Sequence, residues 1–304
     1  MDCCGFCKKS GVWCNWQHNR FWSCFFWFES GYPNKDFRNN EFNELLRIFC
    51  ILLFLRFRLN RFLQSALSMK EAPHLLVRKQ LESLAEPGFS KFSSALIPRL
   101  SRPLIGVRLP ILRNMAKAIV RDYGERWLQD DPSFDYFEEV MLYGMVLGYL
   151  PLSWPQKWKE IIKFVPWIDN WSVCDSCCAT YTDVRKHRKE VFPDLLSHLE
   201  SDSEFKQRFA VVMLMDHYLV DDYIVPVLAA WKNMVPAGYY VEMAIGWGLS
   251  VAALRYPEAT VNVLESPVMS LSCRKKACQK ILESRRSSNE LREKVKLIRA
   301  SLGK

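Results

Sequence analysis

Glycine is scarce in this chain of 304 residues, with only 12 present. That is about 4% against a usual ~7%. Scarce glycine combined with long apolar-periodic segments disfavours turn-rich β-structure and favours helices. Long hydrophobic runs are also missing. The nearest candidate, FCILLFL at 49–55, is cut short by Arg56, Arg58 and Arg61, and no run reaches the ~18 apolar residues that a membrane span needs. The N-terminus lacks the charged start and small-residue cleavage site of a secretory signal. An odd total of 11 cysteines without an export signal argues against a secreted disulfide framework. A cytoplasmic protein with reduced thiols is the expectation.

What is present is an ordinary globular balance, 49% apolar and 25% charged. The formal net charge of +9 is uneven. Residues 131–270 carry 11 basic and 19 acidic side chains, whereas 271–304 carry 11 basic and 3 acidic. Residues 1–65 and 66–130 are also net basic. An acidic middle between basic ends suits a protein whose ends hold a polyanion. A merely solvated surface has the same composition.

Residues 1–65 stand apart as a leader rich in Cys, Trp and Phe with no clean helical period. Cys4-x-x-Cys7 followed by Cys14-x-x-x-His18 has zinc-like spacing, but no second pair sits at a convincing distance. The leader is expected to be poorly ordered or non-native, upstream of a true start at Met69. The folded domain is expected over 70–304.

From about residue 72, helical patterns follow one another with short breakers. LLVRKQLESLA (75–85) repeats its apolar residues near 3.6, and Pro110 falls in the first turn of RLPILRNMAKAIVRDY (108–123). SFDYFEEVMLYGMVLGYL (133–150) is expected to start at Ser133 as N-cap. About a dozen such helices with short connections and no strand alternation predict an all-α fold. The expected architecture is an irregular α-solenoid of HEAT-like antiparallel helix pairs with a concave basic groove.

The densest stretch of candidate chemistry is WIDNWSVCDSCCA (167–179). A helix capped by Asp169 would place Trp171 and Asp175, four apart, on one face. The pattern also fits an indole that fills the core beside a solvated acid. Cys174, Cys177 and Cys178 lack two further ligands for a metal and read as small apolar residues. Trp247 follows Ala244 and Gly246, small residues that permit close helix approach. Arg208 heads the apolar run FAVVMLM and would pair with an acid or point into a groove, with phosphate one occupant.

Seven ordered stretches between 79 and 286, among them IGVRLPILRNMAKAI, WIDNWSVCDS, FKQRFAVVMLM and YYVEMAIGWGLS, resemble the AlkD-like DNA alkylation repair glycosylases. The resemblance covers about residues 72–304. It implies curved stacks of HEAT-like helix pairs that grip duplex DNA and excise cationic N3- or N7-alkylated purines. It implies neither metal nor organic cofactor, no membrane, and a monomer. The family's catalytic aspartate matches Asp175, its flanking tryptophans match Trp171 and Trp247, and its groove arginine matches Arg208. The DNA-facing turn before a proline matches Arg108–Pro110. Arg113 on the following helix, and Arg274 and Lys275 in the basic tail, complete the DNA-binding residues implied. Met243 departs from the pattern, which often has a lysine there. The resemblance further implies that the lesion stays largely stacked rather than flipped, unlike the common glycosylase mode. A catalytically silent DNA-binding relative, or a HEAT-type protein scaffold, would share the same helices.

Overall fold

In the computed structural model, the described residues are 72–97, 100–129 and 133–303. Both the leader and its Cys4–His18 spacing lie outside them. The described residues belong to one compact unit. Among the described residues there are thirteen α-helices and no strand. In chain order they are α1 (Pro73–Ser83), α2 (Pro87–Leu96), α3 (Leu109–Tyr123), α4 (Phe137–Tyr149), α5 (Trp154–Phe164), α6 (Trp171–Cys178) and α7 (Arg188–Leu199). Then follow α8 (Glu204–Tyr218), α9 (Ile224–Asn233), α10 (Tyr239–Ala252), α11 (Pro257–Glu265), α12 (Leu271–Glu283) and α13 (Asn289–Ser301). No helix among them is long and apolar enough to cross a membrane.

Five of the helices open with proline in the first turn, where its missing N–H costs nothing and its fixed φ is already helical. Packing alternates along the chain. Helices α4, α6, α8, α10 and α12 each lie against the next member of that row. The intervening helices lie behind, where α11 lies against both α9 and α13. A helix between two row neighbours and a backing helix is enclosed on most sides. This explains why the run Phe209–Met215 in α8 is apolar and buried all round rather than along one stripe.

The start of α4 differs from the expectation. The helix begins at Phe137 rather than after Ser133. Glu139 reaches back to accept from the backbone N–H groups of Asp135 at 2.7 Å and Tyr136 at 2.9 Å. A two-donor carboxylate stabilises a helix start more strongly than a single serine hydroxyl. Arg78 of α1 donates to the same carboxylate at 2.6 Å and ties α1 to this corner.

Its neighbour Glu138 is 1% exposed and organises the approach to α3. Its carboxylate accepts from the backbone N–H groups of Ile105 (3.1 Å), Gly106 (2.7 Å) and Val107 (3.1 Å). The segment ahead of Arg108 and Pro110 is therefore held from beneath by one side chain. Gly106 sits at φ +95°, and a Cβ there would collide with the carbonyl oxygen of Glu86. Gly106→Ala should lower stability by about 1–3 kcal/mol, read as a fall in the thermal midpoint.

Candidate active site

The short helix α6 is capped by Asn170, whose side-chain oxygen accepts from the Val173 N–H at 3.0 Å. Asp169 was the expected cap. It stands one residue too early and is engaged elsewhere, by Asn170 Nδ2 at 2.7 Å, Arg102 Nη1 at 3.3 Å and the Ser101 hydroxyl. The acid thus fixes the capping amide and links α6 to the segment before α3.

Trp171 and Asp175 occupy successive turns of α6, and both are partly exposed. The Trp171 indole N–H donates to the Leu96 carbonyl at the end of α2, at 3.3 Å. Asp175 meets Arg208 of α8 in a bidentate pair, with Nε to Oδ1 at 3.0 Å and Nη2 to Oδ2 at 2.8 Å. Their side chains are 19% and 6% exposed respectively. Two parallel charge-assisted hydrogen bonds set the plane of the carboxylate as well as its position. Burial pushes the Asp175 carboxyl above its ordinary range, while the hydrogen bonds and charge of Arg208 pull it back.

Of the two partners expected for Arg208, an acid or a phosphate in a groove, the structure shows the acid. The guanidinium fork closes on Asp175, and Nη1 donates to the Tyr240 carbonyl in the first turn of α10 at 2.5 Å. Glu204, one turn before Arg208, accepts from the Tyr240 N–H at 2.6 Å. These contacts join α6, α8 and α10 at one place along the row. Trp247 stands on α10, two turns beyond Tyr240, and is 37% exposed. Gly246 beside it lets α12 approach, since an added Cβ would lie 3.0 Å from Lys276 Cβ. Helix α8 packs against both α6 and α10, so the row connects Asp175 to Trp247 through one intervening helix.

The other expected cations are scattered. Arg108 is paired with Glu86 at 2.8 Å and lies 4.6 Å from the Phe89 ring centroid. Arg113 on α3 and Lys275 on α12 are exposed. Arg274 is committed elsewhere, with Nε donating to the Leu264 carbonyl at 2.6 Å and Nη2 to that of Glu265 at 3.4 Å. It thereby closes the C-terminal end of α11, where cations are favoured. Cys174, Cys177 and Cys178 are buried, and burial pushes the thiols of Cys177 and Cys178 well up. They serve as core, and no metal-binding group of His, Cys, Asp and Glu occurs among the described residues.

Sequence reasoning passed over Asp216, in the last turn of α8. Burial raises its carboxyl from the ordinary 3.8 to about 6, helped by the charge of Asp175 and opposed by Arg185. The available signal was an acid closing the apolar run that Arg208 opens. Between pH 4 and 6 the folded state binds this proton more readily than the unfolded chain, so the group's contribution to stability falls as pH rises through that window. Asp216→Asn should therefore raise stability by about 1–2 kcal/mol at pH 7 and leave it unchanged near pH 3, measured by urea midpoints at the two pH values.

A family model described as DNA alkylation repair enzyme matches residues 77–281. A search of curated proteins finds no match to the chain. The family match runs from α1 into α12 and takes in Trp171, Asp175, Arg208 and Trp247. With well over half of its length covered in this way, the chain belongs to the DNA alkylation repair enzyme family.

Proposed function

We propose that this protein is a monofunctional DNA glycosylase that hydrolyses the N-glycosidic bond of cationic N3- or N7-alkylated purines in duplex DNA. The observation that carries this reading is the Asp175 carboxylate, held flat by Arg208 yet still reachable at 19% exposure. As the bond to the purine lengthens, positive charge builds on the deoxyribose, and a fixed carboxylate nearby stabilises it electrostatically. The alkylated base already bears its positive charge. It takes the bonding electron pair and departs neutral, so no general acid has to protonate it. Water adds to the sugar carbon and gives up a proton, leaving an abasic site. One carboxylate therefore suffices where ordinary glycosidases use two.

In this reading Arg208 is a positioning residue that orients Asp175. The indoles of Trp171 and Trp247 offer electron-rich faces to cationic sugar and base, each contact worth ~0.5–2 kcal/mol. The row α4, α6, α8, α10 and α12 is the inner wall of a HEAT-like solenoid along which the duplex lies. Arg108, Arg113 and Lys275 supply sequence-blind phosphate contacts at its edges. A cavity of about 620 Å³ between α11 and α13 touches none of Asp175, Trp171 and Trp247. The lesion would accordingly be read from the surface of the row, with no cofactor, by a cytoplasmic monomer.

The test is release of free 7-methylguanine from methylated duplex DNA by the full chain. Release above the spontaneous rate supports the glycosylase. Duplex binding with steep salt dependence but no release selects a silent relative. No affinity for duplex even at low salt selects a protein scaffold.

A further inference from the structure

Three consecutive cations, Arg274, Lys275 and Lys276, leave α12 in three directions, as a 100° step per residue requires. Arg274 turns back to the carbonyls of α11, and Lys275 faces solvent. Lys276 runs along the row. Its Cβ lies against Gly246, where an added methyl would stand 3.0 Å away, so its root is pressed against the residue beside Trp247. Its ammonium lies 4.4 Å from the Tyr239 ring centroid and 4.0 Å from Glu242 Oε2. The side chain thus runs from beside Gly246 toward the Tyr239 ring. Tyr239, Met243 and Trp247 are spaced by four and form one stripe, on which both rings are exposed.

The intramolecular contacts hold the ammonium in place only weakly. Its 4.0 Å ion pair with Glu242 is at the limit of contact, and the other Glu242 oxygen is taken by the Ser272 hydroxyl. Both groups are about a quarter exposed, and such pairs contribute ~0–1 kcal/mol. A ring-face contact adds ~0.5–1 kcal/mol at an exposed site. The ammonium is therefore positioned but not neutralised, over the exposed Tyr239 ring. Resting on the reading that this row binds duplex DNA, we propose that Lys276, laid over Tyr239 with its root against Gly246, holds a backbone phosphate on the face of α10 that carries Tyr239.

The test uses the full chain and an unmodified duplex oligonucleotide, with affinity measured over a range of salt concentrations. Losing one phosphate contact lowers the magnitude of the log–log salt slope by ~0.9 and weakens binding about tenfold at 50 mM salt. Lys276→Met should show both changes with an ordinary thermal midpoint, and Lys276→Arg should restore them. Glu242→Gln, which removes the competing carboxylate, should bind more tightly than wild type. An unchanged slope in Lys276→Met, with or without lost stability, would overturn the proposal and leave the DNA reading standing. If wild type fails to bind duplex at low salt, both fall together.

Discussion

Asp175→Asn should release 7-methylguanine from methylated duplex DNA ~100–1,000-fold more slowly than wild type, the usual loss when one preorganised electrostatic group is removed from a transition state. Duplex affinity should not fall, because the carboxylate repels rather than binds the phosphates. The same substitution has a second consequence that must be measured beside it. Arg208 is buried and gives its fork to Asp175, so the variant leaves a buried cation half-paired. Breaking one member of such a pair costs about 3–5 kcal/mol. Release assays therefore belong at a temperature where circular dichroism shows the variant folded. Asp175→Asn combined with Arg208→Met separates the two effects. The double variant should recover much of the lost stability and none of the activity. Wild-type release should also decline on acidification at a pH above the ordinary carboxylate range, because burial raises the Asp175 carboxyl. Equal release by wild type and Asp175→Asn in a folded state would remove the residue from the chemistry.

Glu138→Ala carries the largest expected loss of stability away from the site. The carboxylate is buried and accepts from three consecutive N–H groups, two of them buried with it. A buried donor left unsatisfied costs about 1–3 kcal/mol, and three sharing one acceptor should cost about 3–5 kcal/mol together. The denaturant midpoint should fall with the slope unchanged, since the surface exposed on unfolding is the same. Glu138→Gln keeps one acceptor oxygen and should fall between alanine and wild type. A midpoint within experimental error of wild type for Glu138→Ala would mean that the segment ahead of Arg108 is held by something other than this carboxylate.

How far the candidate site could be read in advance differs from residue to residue. That Trp171 and Asp175 share a face followed from a spacing of four, because helical geometry is local. The cap was misplaced by one position, since Asp169 and Asn170 are both good caps and only contacts with Ser101 and Arg102 separate them. Arg208 carried two possible occupants, an acid or a phosphate. The choice of Asp175, 33 positions away, came from the packing of α8 on α6. Arg274 looked like every other cation of the tail until the end of α11 was seen beneath it. Helices α2 and α11 open with Pro87 and Pro257 in their first turns, a start signal carried by the local sequence alone.

By itself the sequence determined the helical class, the positions of most helices, the basic ends and the family, because periodicity, capping and composition are properties of neighbouring residues. Tertiary structure alone decided which charges are free and which are spent. Arg208 and Arg274 are held by carboxylate and carbonyl oxygens, Asp216 is pressed toward neutrality, and Lys276 is laid over Tyr239. The physical reason is that the state of a charge depends on burial and on partners brought together across the row of helices, and neither is encoded at any fixed spacing along the chain.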